Sequence, residues 1–352
     1  MTIDKNLLEK CLDDIIAKKN IHSTVLRVES GDGTFAWSGA RGKMECDSQY
    51  CIASVTKLYI TAVVMTLIEE NKLTLDDKIE KHLPPHYIEN LHIYKGVDYS
   101  SKITIKHLIS NTSGLPDYFT HKEKGKPSGA SLLLQGNDIR WDVEKTIAEM
   151  KNRTPKFAPG QKNKVAYSDT NYQLLGKILE IVTEKDIKAV FSDYIFDKIG
   201  LCNTYVFYDI DDKRPVAFYN QSSKLWLPNY MASVSAEGGI VSTAEEVMIF
   251  LKEFFNGRFF PKDKIESLKQ WNLMLPPPAL FYYGIGLEKT PTPRIITIKP
   301  IREIVGFWGQ TGSFAWYNSD TDLYFTGTTN QVDGTGHRAA MGAIIKIIKS
   351  VL

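Results

Sequence analysis

The sequence predicts an α+β fold: an antiparallel β-sheet flanked by N- and C-terminal helices, with a mainly helical domain inserted between the halves of the sheet. Three observations carry this expectation. Apolar residues recur at helical spacing at both ends of the chain, strand-like segments lie just inside those two helices, and the stretch between holds helix-like runs separated by polar loops. The expected division puts residues 1–75 and 231–352 in the sheet domain and 76–230 in the helical domain, with a cleft between them.

In chain order, Leu7, Leu8, Cys11, Leu12, Ile15 and Ile16 mark the first helix. Ser23–Glu29 and Thr34–Ser38 follow as strands, joined by Gly31-Asp32-Gly33, a hairpin signal and not a phosphate loop. Tyr50-Cys51-Ile52 is strand-like and runs into Ser54-Val55-Thr56-Lys57 and the apolar helical run Leu58–Ile68. Val165–Gly176 reads as a loop leading into a helix. Glu303–Trp308, Ser313–Tyr317 and Leu323–Thr328 are the C-terminal strands. Ala340, Ile344, Ile347, Ile348 and Val351 mark the last helix, which packs beside the first on one face of the sheet. The less regular segments His121–Asn137, Tyr219–Tyr230 with Trp226, and Trp271–Tyr283 with Pro276-Pro277-Pro278 are the candidate walls of the cleft.

At 352 residues, 43% hydrophobic and 24% charged, the chain has the composition of an ordinary globular protein with one large core or two lobes. A net charge of +2 without a basic stripe gives no electrostatic footprint for nucleic acid. No apolar run reaches the ~18 residues of a membrane span. Met1–Lys10 lacks a basic segment followed by an apolar one, so a cytoplasmic location is expected. The four cysteines, at 11, 46, 51 and 202, lack zinc-like spacing, and Cys46 and Cys51 are expected as thiols. His82 and His86 are separated by Pro84-Pro85, which breaks the helix that would align them on a metal. With no dinucleotide or Walker glycine motif either, neither metal nor cofactor is expected.

Ser54 and Lys57 carry the chemistry. Residues three apart share a helix face, so the Lys57 amine can reach the Ser54 hydroxyl. A serine with a lysine partner in a low-dielectric cleft becomes a usable nucleophile. At a helix N-terminus its backbone N–H also sits at the positive end of the dipole, where an oxyanion is stabilised. Taken alone, Ser-x-x-Lys is more often a helix cap followed by a surface lysine.

Two further segments change that reading: Tyr167-Ser168-Asp169 before a helix, and Gln310-Thr311-Gly312-Ser313 in the strand-rich C-terminal stretch. With Ser54-x-x-Lys57 they resemble the three active-site elements of the serine β-lactamase and penicillin-binding-protein superfamily. The tyrosine points to its class C β-lactamase-like branch, with DD-peptidases, D-aminopeptidases and family VIII esterases. Ile103–Tyr118, Phe157–Gly160, Ala236–Ala244 and Tyr283–Leu287 are similar to other recurring stretches of that branch. The resemblance implies that Ser54 is acylated, that Lys57 and Tyr167 handle its proton, and that the backbone N–H groups of Ser54 and Ser313 form the oxyanion hole. Asp169, Gln310, Thr311 and Gly312 would contact substrate. Tyr167 is expected to have a lowered pKa beside Lys57, and Gly312 to leave the strand bare for substrate.

Three positions depart from the family pattern. Gln310 stands where a lysine or histidine is usual. Losing that charge-assisted bond to a substrate carboxylate costs about tenfold or more in affinity. Asp169 replaces an asparagine. Either it meets a donor on the substrate, or it is the counter-ion of Lys57 and Asn171 takes over the amide's role; the second is favoured. Asn111 stands where histidine is common, outside the chemistry. The function expected is therefore a serine hydrolase acting through a Ser54 acyl-enzyme on small esters, amides or D-amino-acid-containing peptides. The alternatives are a penicillin-binding DD-carboxypeptidase or β-lactamase, an acyltransferase using the same intermediate, and a penicillin-recognising protein that acylates with little turnover. The partner in each is a small molecule or short peptide.

Overall fold

The computed structural model describes residues 3–122, 125–151, 153–277, 279–292 and 299–352. Eight strands form one antiparallel sheet. Two come from the N-terminal stretch, β1 (Ser23–Ser30) and β2 (Ala36–Gly42). Six come from the C-terminal stretch: β10 (Asn272–Leu275), β11 (Phe281–Tyr283), β12 (Glu288–Thr290), β13 (Ile304–Trp308), β14 (Ser313–Asn318) and β15 (Leu323–Thr328). The order is β10-β11-β12-β13-β14-β15-β1-β2, so the two ends of the chain meet where β1 pairs with β15. A small sheet of β3 (Tyr50–Cys51), β9 (Ile240–Ser242) and β6 (Tyr205–Val206) lies beside it. The pairs β4 (Ile93–Tyr94) with β5 (Val97–Asp98) and β7 (Phe218–Asn220) with β8 (Ser223–Leu225) are hairpins.

The alternation of side chains along the strands sorts the core into two layers. Leu26, Ile304, Phe314, Trp316 and Phe325 pack under the helices Lys5–Ile16 and Thr335–Val351. Their neighbours Val25, Val305, Ala315 and Tyr324 face the opposite layer, which holds the other helices. The Thr56–Glu69 helix runs through that second layer, buried on every side from Thr56 to Leu67, as an all-round apolar helix must be. Between Pro85 and Ile199 the regular elements described are helices, apart from the β4–β5 hairpin. Among the described residues no helix is long and apolar enough to cross a membrane.

The five expected strands are present, within two residues of their expected starts. The edge strands β10–β12 were not expected. Pro276 and Pro277 lie between β10 and β11, so the segment that reads as less regular is a hairpin with short arms. Pro278 lies outside the described residues, as do residues 123 and 124 of the His121–Asn137 segment.

Candidate active site

Ser54 sits in a single 3-10 turn, Ala53–Val55, between β3 and the Thr56–Glu69 helix. Ala53 just before it has φ +45°, a left-handed conformation that costs a non-glycine residue of order 1 kcal/mol or more and that clusters at functional sites. The turn is braced by the β13–β14 connection and the first residue of β14. Thr311 Oγ1 donates to Cys51 O (2.7 Å) and Ser313 Oγ to Ile52 O (2.6 Å). Gly309 closes the approach: a Cβ there would lie 2.0 Å from Ser313 Oγ and 2.3 Å from Ile52 O.

Lys57, fully buried, points its amine back along the helix. Its Nζ donates to Ser54 Oγ (2.9 Å) and Glu237 O (2.8 Å). Asp169 Oδ1 lies 2.7 Å from it as an ion pair, and that oxygen has no hydrogen-bond donor of its own. Tyr167 reaches the same hydroxyl from the other side, OH to Ser54 Oγ 2.8 Å. Four of the expected residues, Ser54, Lys57, Tyr167 and Asp169, thus meet around one oxygen and one ammonium.

The loop carrying Tyr167 is held by Asn111. In a left-handed conformation (φ +56°), its side-chain oxygen accepts from Ser168 N (3.1 Å) and Asn171 Nδ2 (2.7 Å), and its carbonyl accepts from Ala166 N (2.9 Å). Asp117 Oδ1 accepts from Asp169 N (3.0 Å). Asn111, expected outside the chemistry, is a positioning residue.

Ser54, Tyr167, Asp169, Gln310 and Thr311 line one cavity of about 880 Å³, within the range of small-ligand sites. Part of its apolar wall comes from the anticipated segments, with Leu133 of helix Gly129–Leu134, Leu225 and Leu227 of the β7–β8 region, and Met274 and Phe281 of β10 and β11. Phe218, just before the second segment, and Met341 and Ile345 of the last helix, which were not anticipated, complete it. Trp226 faces away from it.

Across residues 8–348 the chain matches the family model described as Beta-lactamase. The chain belongs to the β-lactamase family. A putative D-alanyl-D-alanine carboxypeptidase of Escherichia coli (strain K12) is 25% identical over 319 residues, covering 82% of this chain and 67% of the relative. The chain spans 28–67% of the length of the first curated relatives it matches. Two solved structures superpose over nearly all of it. A D-stereospecific amidohydrolase from Streptomyces sp. has a TM-score of 0.78 at 23% identity, with 99% of this chain and 98% of that one covered. EstCE1, a hydrolase with promiscuous acyltransferase activity, has 0.78 at 20%, with the same coverage. At these identities the two structures speak for the β-lactamase/transpeptidase fold.

Three expectations about this β-lactamase-family site are corrected. Tyr167 is not poised as a phenolate: burial, then the nearby Asp169 and Glu288 carboxylates, push its phenol well above its ordinary range. Asn171 does not replace the family amide at the cavity; it is fully buried, with Oδ1 on Ser113 Oγ and Nδ2 on Asn111 Oδ1. Gly312 does not line the cavity, and the fold itself requires a glycine there. Its φ is +83°, and a Cβ would lie 2.4 Å from Thr329 Oγ1. Gln310 is at the cavity mouth, with Nε2 on Val332 O (3.2 Å).

The sequence reading missed Asp117, Glu237, Glu288 and Arg338, all of which line the cavity. Glu237 lies in the quoted Ala236–Ala244 stretch and Asp117 in Ile103–Tyr118, so their signal was present without a role. Glu288 and Arg338 have none. The buried Glu237 carboxyl, bonded by Tyr118 OH and Gln173 Nε2, is pushed well above the usual range by burial and by Asp169. Asp117 rises to about 6, through burial and Asp169. Glu288, which accepts from Trp308 N (2.9 Å), rises to about 8 through burial. Among the described residues no group of three or more His, Cys, Asp and Glu side chains could hold a metal ion.

Glu288 has a measurable consequence. Its folded pKa exceeds its unfolded one, so between about pH 4.5 and 8 the folded state binds more protons and stability falls as pH rises. Glu288→Gln keeps an acceptor for Trp308 N and removes the ionisation. Thermal melts from pH 5 to 8.5 are expected to show a smaller decline in Tm for the variant than for wild type. Equal declines would show that Glu288 does not titrate in this window.

Proposed function

We propose that the protein is a serine hydrolase acting through a Ser54 acyl-enzyme on small esters and amides. The observation that carries this is the convergence of Lys57 Nζ (2.9 Å) and Tyr167 OH (2.8 Å) on Ser54 Oγ at the wall of an 880 Å³ cavity. The cleft is assigned to the junction of a sheet domain (1–75 and 231–352) and a helical domain (76–230).

Because the tyrosine rests as a phenol, it acts as a relay. Once the two hydroxyls turn so that Ser54 donates to Tyr167, Ser54 Oγ attacks the substrate carbonyl in a concerted relay. Its proton moves to the Tyr167 oxygen as the phenol's own proton moves to the leaving nitrogen or oxygen, and the C–N or C–O bond of the adduct then breaks. The Lys57 ammonium stays charged and stabilises the negative charge building on both oxygens. The N–H groups of Ser54 and Ser313 are assigned to the carbonyl oxygen. Support comes from the two braces that hold the first residue of β14 beside the Ser54 turn. Water then attacks the acyl-enzyme by the reverse route. An alcohol would use the same groups, which is the acyltransfer named for the structural neighbour EstCE1.

The acyl donor is assigned an apolar group and an ammonium. Asp169 is committed to Lys57, but Asp117 also lines the cavity among Phe218, Leu225, Leu227 and Met274, and Gln310 supplies no cation for a carboxylate. This matches the amino-acid amides named for a D-amino acid amidase from Ochrobactrum anthropi SV3, which shares the fold. The test is the ratio of kcat/KM for an apolar amino-acid amide and its N-acetyl derivative. Preference for the free amine by about tenfold or more is expected, the scale of one charge-assisted bond. Arg338 on the cavity wall favours a second reading, a carboxypeptidase like the Escherichia coli relative. Preference for donors ending in a carboxylate would establish that reading instead.

A further inference from the structure

A second cavity, of about 370 Å³, opens on the other side of the β7–β8 hairpin. Strand alternation places it there. Phe218 and Leu225 are paired across the hairpin and face the catalytic cavity, while the next pair, Tyr219 and Lys224, faces the second one. The hairpin is a single layer, so the two cavities share a wall.

The second cavity is lined by Lys43, Lys213, Arg214 and Lys224 and by no carboxylate. Arg214 is already paired with Asp212 (Nη2 to Oδ2 2.8 Å). Lys213 Nζ donates to Ile210 O (3.1 Å) and lies 5.2 Å above the Trp226 ring. Among the described residues, Lys43, Lys213 and Lys224 have no ion-pair partner. In a chain of net charge +2, three uncompensated ammonium groups around one concavity repel each other and focus positive potential there. The residues come from three separate segments, so no basic run marks them in the sequence.

We propose that this cavity binds a small polyvalent oxyanion, carrying two or more phosphate or carboxylate groups, and that the hairpin transmits its occupancy to the catalytic cavity. A monovalent anion would neutralise one of three charges, whereas a polyvalent one meets several ammonium groups at once. The route of transmission is short. Tyr219 O accepts from Val332 N (2.8 Å), and Val332 O accepts from Gln310 Nε2 (3.2 Å) at the catalytic cavity's mouth. Drawing Lys224 and Tyr219 toward an anion therefore acts on Leu225 and Phe218 behind them and on Gln310 beyond.

The test is titration calorimetry of the full chain with pyrophosphate and, separately, citrate, for wild type and for the double variant Lys43→Gln/Lys224→Gln, with a melt to show that the variant folds. The two anions distinguish phosphate from carboxylate chemistry. Saturable binding of one or both is expected, weakening as salt is added and about tenfold or more weaker in the variant. The KM of an ester substrate is expected to shift on saturation in wild type only, each protein compared with its own anion-free value. No saturable binding by wild type, or equal affinity in the variant, would overturn the site. Binding with unchanged kinetics would overturn the transmission. The calorimetric arm stands whether or not Ser54 is the nucleophile.

Discussion

Replacing Lys57 by methionine is expected to reduce ester turnover by more than about a thousandfold and to destabilise the protein at neutral pH by about 3–5 kcal/mol. Methionine preserves the length of the side chain and removes the charge. The activity loss follows because Ser54 Oγ and Tyr167 OH would have to exchange protons with no cation beside them. The stability loss follows because Asp169 Oδ1, buried and without a hydrogen-bond donor, would lose the ammonium that lies 2.7 Å from it. The two effects separate in a cycle. Adding Asp169→Asn to Lys57→Met should recover most of the stability and none of the activity. Urea melts and initial rates for the four proteins check this. Full activity in Lys57→Met would remove the lysine from the chemistry, and a double variant no more stable than Lys57→Met would remove the ion pair from the stability.

The second large effect is expected at a residue with no functional group. Gly309→Ala places a methyl 2.0 Å from Ser313 Oγ, 2.3 Å from Ile52 O and 3.2 Å from Ala53 Cβ. Two of those contacts are with the brace that holds β14 against the Ser54 turn, so the methyl must push them apart. Overpacking of this kind costs about 1–3 kcal/mol. The larger consequence is catalytic, because a displacement of about 1 Å between nucleophile and oxyanion donors costs on the order of a hundredfold. Acylation by an active ester is expected to slow by that factor while the melting transition remains cooperative. An unchanged acylation rate would show that the brace does not set the position of the nucleophile.

The sheet and its two flanking helices were legible because long apolar runs announce themselves by period, as in Leu7–Ile16 and Leu323–Thr328. Short strands such as β11 and β12, three residues each, hold too few alternations to register, and the prolines between β10 and β11 argued for a loop. At the site, Ser54, Lys57 and Tyr167 were legible as motifs, and their convergence needed only the family's chain order. The state of Tyr167 was not. The motifs already bring Lys57 and Asp169 together beside it, but the fold takes away water, which is the largest effect, and adds Glu288. Glu288 and Arg338 come from β12 and the last helix, more than a hundred residues beyond Tyr167 in the chain, and no spacing rule connects them to it.

The most direct test of the acyl-enzyme reading is the intact mass of wild type and Ser54→Ala after brief exposure to a short-chain active ester and, separately, to benzylpenicillin. Wild type is expected to gain the mass of one acyl group from the ester, or to turn it over, and Ser54→Ala to do neither while melting as wild type does. With Gln310 in place of a cation, the penicillin adduct is expected to form slowly or not at all. An ester adduct of equal yield in Ser54→Ala would contradict the assignment of the nucleophile, and a rapid, stable penicillin adduct on wild type would contradict the role given to Gln310.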